Sequence, residues 1–215
     1  AFSWECLWDK KYAGKILMKD SYRDAYGTAV IYAHAKELEE GTVTVEDLMN
    51  DYSPRAMEVA EKYLKAMKPN IAGWEADFGK EMMTKNKAWL NMTWSGDAIW
   101  AIEEANAVGV DLDYVVPKEG SNIWYDGWVI TKGSENVENA HKWIDFLCSQ
   151  EAAYDNFDYI YYGTPNIAAQ ELIDEDIINN PGVFPDEETI EKCEVYNYLG
   201  KEAEDMYYEL WKKVK

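Results

Sequence analysis

The sequence predicts an α/β fold in which a mostly parallel sheet is flanked by helices. Short apolar runs recur at residues 15–20, 71–74 and 88–94, and helical patterns of about ten residues or more lie between and after them. Composition agrees. With 47% hydrophobic and 29% charged residues the chain has enough apolar surface for a real core, which excludes disordered, collagen-like and low-complexity classes. A length of 215 residues accommodates one large domain or two small ones.

The first run, KILMKD at residues 15–20, follows Gly14 and precedes a helix start, the setting of a buried strand. Ser21 followed by Asp24 resembles a capping box with Asp at its third position, and it opens a helical pattern over 22–39. A loop around Gly41 leads to a short helix at 45–50. Pro54 fits the first position of a helix that runs to Lys68 and is ended by Pro69. Residues 71–74 read as a strand, 77–87 as a helix and 88–94 as another strand. Ser95-Gly96-Asp97 then opens a helix through 98–108, with Gly109 as its stop. Residues 114–116 read as a further short strand, 117–120 as a turn and 122–131 as another extended stretch rich in Trp, Tyr, Val and Ile. An amphipathic helix spans 136–148, with a further helical piece to about residue 157. A mixed stretch at 161–180 contains the turn Gly163-Thr164-Pro165-Asn166, and 200–213 closes the chain as an amphipathic helix. No internal repeat or flexible linker interrupts this order.

Forty-one acidic residues against 21 basic ones give a formal net charge of -20. That field repels phosphate backbones and anionic head groups and draws cations, so nucleic acid and membrane surfaces are poor partners. Trp and Tyr number 10 and 16 against 5 Phe, and aromatics with a polar tip suit walls that are half buried and half ligand-facing. Cys6, Cys148 and Cys193 form an odd, widely spaced set without CxxC, which argues against a disulfide framework or a zinc site. His34 and His141 lie in helical patterns and read as structural or solvated, so no metal, cofactor or catalytic triad is expected. No run approaches the ~18 apolar residues of a membrane span, and residues 1–8 carry no signal-peptide pattern.

In open parallel sheets ligands collect outside the carboxyl ends of strands, which directs attention to the two strand-to-helix turns at 20–24 and 94–97. Trp94 and Asp97 lie three residues apart across a helix start. Trp124 and Asp126 repeat the pairing at i and i+2, on one face of a strand. An indole face and a carboxylate together suit a cationic amine, and two such pairs suit a molecule with two amines. Three other readings stay open on residue types alone. Asp97 serves a helix dipole while the tryptophans fill a core, paired carboxylates serve a glycoside hydrolase, or Tyr161-Tyr162 donates phenolates to ferric iron.

The run Ser3-Trp4-Glu5-Cys6-Leu7-Trp8-Asp9-Lys10-Lys11-Tyr12-Ala13-Gly14-Lys15-Ile16 resembles the SWxxLWxPxYxGKI segment of bacterial periplasmic polyamine-binding proteins, the spermidine/putrescine receptors of ABC importers. Trp94-Ser95-Gly96-Asp97-Ala98 is similar to that family's WxGxA turn. Val116-Pro117-Lys118-Glu119-Gly120 resembles its VxPKEG turn and Trp124-Tyr125-Asp126 its aromatic-x-Asp strand. Gly163-Thr164-Pro165-Asn166 and Phe184-Pro185-Asp186 match later turns in the same order. The matches span nearly the whole chain.

The resemblance implies a lobe of the periplasmic-binding-protein-like fold, type II, and an extracytoplasmic solute-binding protein that captures putrescine or spermidine. The alternatives are a receptor of the same fold for another ligand and a carbohydrate-active enzyme using paired carboxylates. Carried over, Trp94, Trp124 and Tyr162 would box the methylene stem, Asp126 would bind an amine, and Asp97 would match the acidic turn of putrescine-preferring members. Asp24 stands where the family has Glu. Ser21 stands where spermidine-type members have Asp, and Tyr196 where they have Gln. The implied partners are ABC-transporter permease subunits, and the implied location is periplasmic or extracellular, on the outer face of the membrane. An amino-terminal lobe of roughly 110 residues would precede the chain. Residues 1–121 and 172–215 would then form the second lobe and 122–171 a segment crossing to the first, with self-association expected when that partner is missing.

Overall fold

A computed structural model describes residues 2–76 and 78–215. Its sheet consists of three parallel strands, β1 (Ile16–Lys19), β2 (Ile71–Glu75) and β3 (Leu90–Asn91), in the order β2-β1-β3. All four residues of β1 are buried, as a central parallel strand covered on both faces requires, and this is why KILMK reads as one apolar run. The register sets Leu17 opposite Gly73 and Asn91, and Lys19 opposite Glu75. Lys19 and Glu75 therefore end adjacent strands at the same edge.

The chain leaves β1 directly into α1 (Tyr22–Ala33), which packs against α4 (Pro54–Met67). The amphipathic pattern of α4 explains the contact: Met57, Ala60, Leu64 and Met67 recur at helical spacing and are buried. Ser53 caps its first turn and Pro54 opens it. The carboxyl-terminal helix α12 (Lys201–Val214) adds Tyr207, Leu210, Trp211 and Val214 to the same core. Tyr26 and Tyr207 sit within that core, and both hydroxyls donate to the Asp51 carbonyl, at 2.6 and 2.9 Å. Phe would leave this carbonyl without those donors, so part of the Tyr excess is structural. Full burial of a Leu or Met side chain here contributes about 1.5–3 kcal/mol.

Several expected elements differ. The pattern over 22–39 is broken at His34 (φ -115°, ψ 21°), whose N–H closes back onto the Val30 and Ile31 carbonyls, and α2 (Ala35–Glu39) restarts beyond it. α3 (Val45–Met49) forms as expected, with Thr44 and Asp47 making a full capping box. α5 (Gly79–Thr84) lies inside the helix expected from residue 77, and Asp77 itself, like Ala1, is outside the described residues. β3 is shorter than the apolar run: Trp89 and Leu90 donate to the Lys15 carbonyl just before β1 and Met92 to that of Leu17, and Trp94 then turns into α6 (Ser95–Ala107). Residues 114–116 form no strand, and in 122–131 only Asn122 pairs, through one parallel bridge to Glu194. Apolar β-formers become strands only beside a partner edge, and none runs alongside these segments among the described residues.

Beyond lie α7 (Val137–Leu147), α8 (Gln150–Ile160), α9 (Ile167–Gln170), α10 (Glu175–Ile178) and α11 (Glu187–Glu191). α11 was not legible in the sequence, although Asp186 accepts from the Thr189 N–H at 2.8 Å as its cap. A second, smaller core joins Ile99 of α6 to Phe157 of α8, Ile173 and Val183.

Candidate functional site

Because β1 and β3 are neighbours, the turns that follow them open side by side at the carboxyl edge of the sheet. In the first, the Ser21 hydroxyl accepts the Asp24 N–H at 3.4 Å. Only this half of the expected capping box forms. The Asp24 carboxylate is instead buried, at 5% exposure, close enough to the side chains of Ser21, Trp94 and Tyr196 for their hydrogen bonding to act on its ionisation. Burial pushes its pKa up, while those hydrogen bonds and the nearby Lys19 charge pull the other way. Tyr196 reaches Asp24 across Gly27, where a methyl group would stand 2.5 Å from its hydroxyl oxygen. Burial, followed by the Asp24 charge, raises the Tyr196 pKa well above its usual value. The Arg23 guanidinium holds the tyrosine in place, 4.8 Å from the Tyr196 ring centroid and 4.6 Å from that of Tyr207.

In the second turn Trp94 occupies the N-cap of α6. Its ring centroid lies 6.2 Å from that of Trp124, which lies 5.9 Å from that of Tyr162. The three rings expected to act together are thus in continuous contact. Tyr162 follows Tyr161, a non-glycine residue in the left-handed region (φ 61°) at the end of α8, and this turn swings the ring onto Gly96. Burial first, and the Asp97 charge second, push the Tyr162 pKa up to about 12. Tyr161 points elsewhere, donating to Glu103 at 2.6 Å, so the two phenols do not converge. Trp124 and Asp126 do not share a strand face, because no strand forms there. Asp126 is exposed, with its charge close enough to Tyr162 to oppose that phenol's ionisation.

Sequence reasoning missed Lys19. Its side chain is 3% exposed, and its ammonium lies 3.9 Å from the Trp94 ring centroid, 3.6 Å from Asp97 Oδ2 and 3.7 Å from Glu75 Oε1. It also donates to the Ala76 carbonyl at 3.1 Å. Asp97 has a second partner in Lys80, at 3.1 Å from its other oxygen. The signal was a lysine ending an otherwise apolar central strand. A buried Lys–Glu pair contributes little net stability, yet removing one partner costs about 3–5 kcal/mol because the other charge is left buried.

Beside Trp94 and Trp124 opens an apolar cavity of about 210 Å³, lined by Met83, Trp89, Met92, Ile102, Tyr114 and Val116 among others. Cys6, Cys148 and Cys193 are all free thiols, and burial pushes Cys6 up to about 11, so it stays protonated and unreactive at neutral pH. Among the described residues no cluster of His, Cys, Asp and Glu gathers to hold a metal ion, and no helix is long and apolar enough to cross a membrane.

Residues 2–185 match the family described as bacterial extracellular solute-binding protein. The chain belongs to that family. Among its relatives, the spermidine/putrescine-binding periplasmic protein of Escherichia coli is 32% identical over 213 residues, covering 99% of this chain and 56% of its own length. The putrescine/cadaverine-binding protein of Pseudomonas aeruginosa is 26% identical, covering 99% and 58%. A solved Listeria monocytogenes structure described as a spermidine/putrescine ABC transporter superposes with a TM-score of 0.84 at 32% identity, over 99% of this chain and 61% of that one. The spermidine/putrescine ABC transporter substrate-binding protein of Streptococcus pneumoniae gives 0.78 at 29% identity, over 100% and 63%. The chain spans a little over half the length of the curated relatives it matches. The α/β, periplasmic-binding-protein-like architecture expected from the sequence is the one observed, and the family is one of solute binders.

Proposed function

We propose that this chain is part of a two-lobed receptor that captures a polyamine, putrescine or spermidine, for import by an ABC transporter. The observation that carries the proposal is the continuous run of Trp94, Trp124 and Tyr162 between the carboxylates of Asp24 and Asp126. Aromatic faces suit a methylene stem and its flanking ammonium groups, and each carboxylate supplies a charge-assisted hydrogen bond to an ammonium. Ser21 and Tyr196 orient Asp24, while Asp97 sets the polarity beside Trp94. Residues 1–121 and 172–215 belong to the second lobe, and 122–171 crosses toward a companion lobe that closes over the ligand. Receptors of this kind work outside the cytoplasmic membrane and deliver to permease subunits, and the chain acts as a binder rather than an enzyme.

Titration calorimetry on this chain joined to its companion lobe tests the proposal. Putrescine and spermidine are expected to give saturable heat, and amino acids and neutral sugars none. Heat from a sugar or amino acid alone would overturn the ligand class. Turnover of chromogenic glycosides that is abolished by Asp97→Asn would overturn the binding role.

A further inference from the structure

We propose that Lys19 is a specificity-determining residue, a built-in ammonium that occupies one amine position and sets the site for a ligand with two charged amines rather than three. The proposal rests on the polyamine reading and specifies its ligand. Among the described residues the carboxylates of Asp24, Glu75 and Asp97 gather at the carboxyl edge of the sheet, and that of Asp126 lies across the aromatic run. Lys19 bridges Glu75 and Asp97, and Lys80 takes the second oxygen of Asp97. Among the described residues no lysine or arginine nitrogen forms an ion pair with Asp24 or Asp126. Two negative charges are thus left without an ion-pair partner, and they match two ligand ammonium groups.

Position matters as much as count. The Lys19 ammonium sits over the face of Trp94, the place where a ligand ammonium would gain most from the indole. It is held there by a strand backbone and by its bond to the Ala76 carbonyl. A third ligand ammonium approaching this end would meet a fixed like charge in a poorly solvated site, where repulsion is weakly screened.

The test compares putrescine and spermidine affinities by calorimetry, again with the companion lobe present, in the wild type, in Lys19→Met and in Lys19→Met/Glu75→Gln. The double variant removes both buried charges and so keeps the comparison open should Lys19→Met fold poorly. The spermidine-to-putrescine affinity ratio is expected to rise at least tenfold in the variants. A loss of both affinities in equal proportion, leaving the ratio within twofold of wild type, overturns the role given to Lys19 while leaving the polyamine reading intact. A wild type and variants that bind neither amine overturn the polyamine reading, and this inference with it.

Discussion

Tyr162 lies directly on Gly96: a methyl group at that glycine would come within 2.6 Å of the Ile160 carbonyl oxygen and closer still to the tyrosine ring. The glycine thus lets the second aromatic wall approach the first turn of α6. Overpacking of this kind costs about 1–3 kcal/mol, and neither the helix backbone nor the Tyr161 turn can retreat freely. Gly96→Ala is expected to lower Tm by several degrees and to weaken polyamine binding at least tenfold by displacing Tyr162. Thermal melts with and without ligand check both effects. An unchanged Tm and an unchanged ligand response would show that the ring simply moves aside.

Asp24 gives the site a pH dependence whose sign follows from its burial. Its folded-state pKa is raised above the ordinary 3.8, so folding favours the protonated form. The contribution of this group to stability is fully present below the unfolded value and is lost as pH rises through the folded one. An ammonium ligand reverses the preference, because it pairs with the ionised carboxylate. In the mildly acidic range binding is therefore expected to release a proton and to strengthen as pH rises. Calorimetry in two buffers of different ionisation enthalpy measures that proton. Asp24→Asn should abolish the release and raise Tm at neutral pH, and identical proton release from wild type and variant would remove Asp24 from the linkage.

The exposure of Asp126 gives a different expectation. An exposed carboxylate binds an ammonium weakly, whereas a desolvated charge pair loses about 2–5 kcal/mol when one partner is removed. Asp126→Asn should thus weaken putrescine more than tenfold when the companion lobe is present and have little effect on this chain alone. Equal effects in the two contexts would mean that lobe closure does not desolvate this residue.

Local signals were legible wherever chemistry and position agreed within a few residues. Pro54 with the Met57, Ala60, Leu64 and Met67 stripe specified α4, and the buried run ILMK specified β1. Trp94, Trp124 and Tyr162 lie side by side, and Trp124 arrives on an irregular segment rather than on the strand its sequence suggested. Lys19 was not legible, because its role depends on Glu75 from the neighbouring strand and Asp97 from the next turn, contacts that only sheet order creates. The same holds for Tyr196, whose place against Asp24 depends on Gly27 and on the Arg23 stack. Nor was the surplus of Tyr and Trp all ligand-directed, since Trp8 stacks on Tyr32 at 4.1 Å and Trp74 meets Trp211 at 4.7 Å within the core.

The segment beyond Trp124 carries the last expectation. Trp128 and Val129 are 68% and 83% exposed, and α7 turns Trp143 and Phe146 outward with their rings 5.6 Å apart. Exposed apolar surface of this extent is rare on stable monomers, because each Å² left in water forgoes roughly 25 cal/mol of burial. The 215-residue chain is therefore expected to self-associate, and the simplest route is exchange of this segment between copies. Sedimentation over a range of concentrations should show a reversible dimer or larger species. Trp128→Ser combined with Val129→Ser should shift the distribution toward monomer, without lowering Tm, since neither residue belongs to a core. Tryptophan fluorescence during putrescine titration completes the test. A strict monomer that binds putrescine at micromolar concentration or tighter would show that this chain already holds a complete site, and that a companion lobe is not needed to close it.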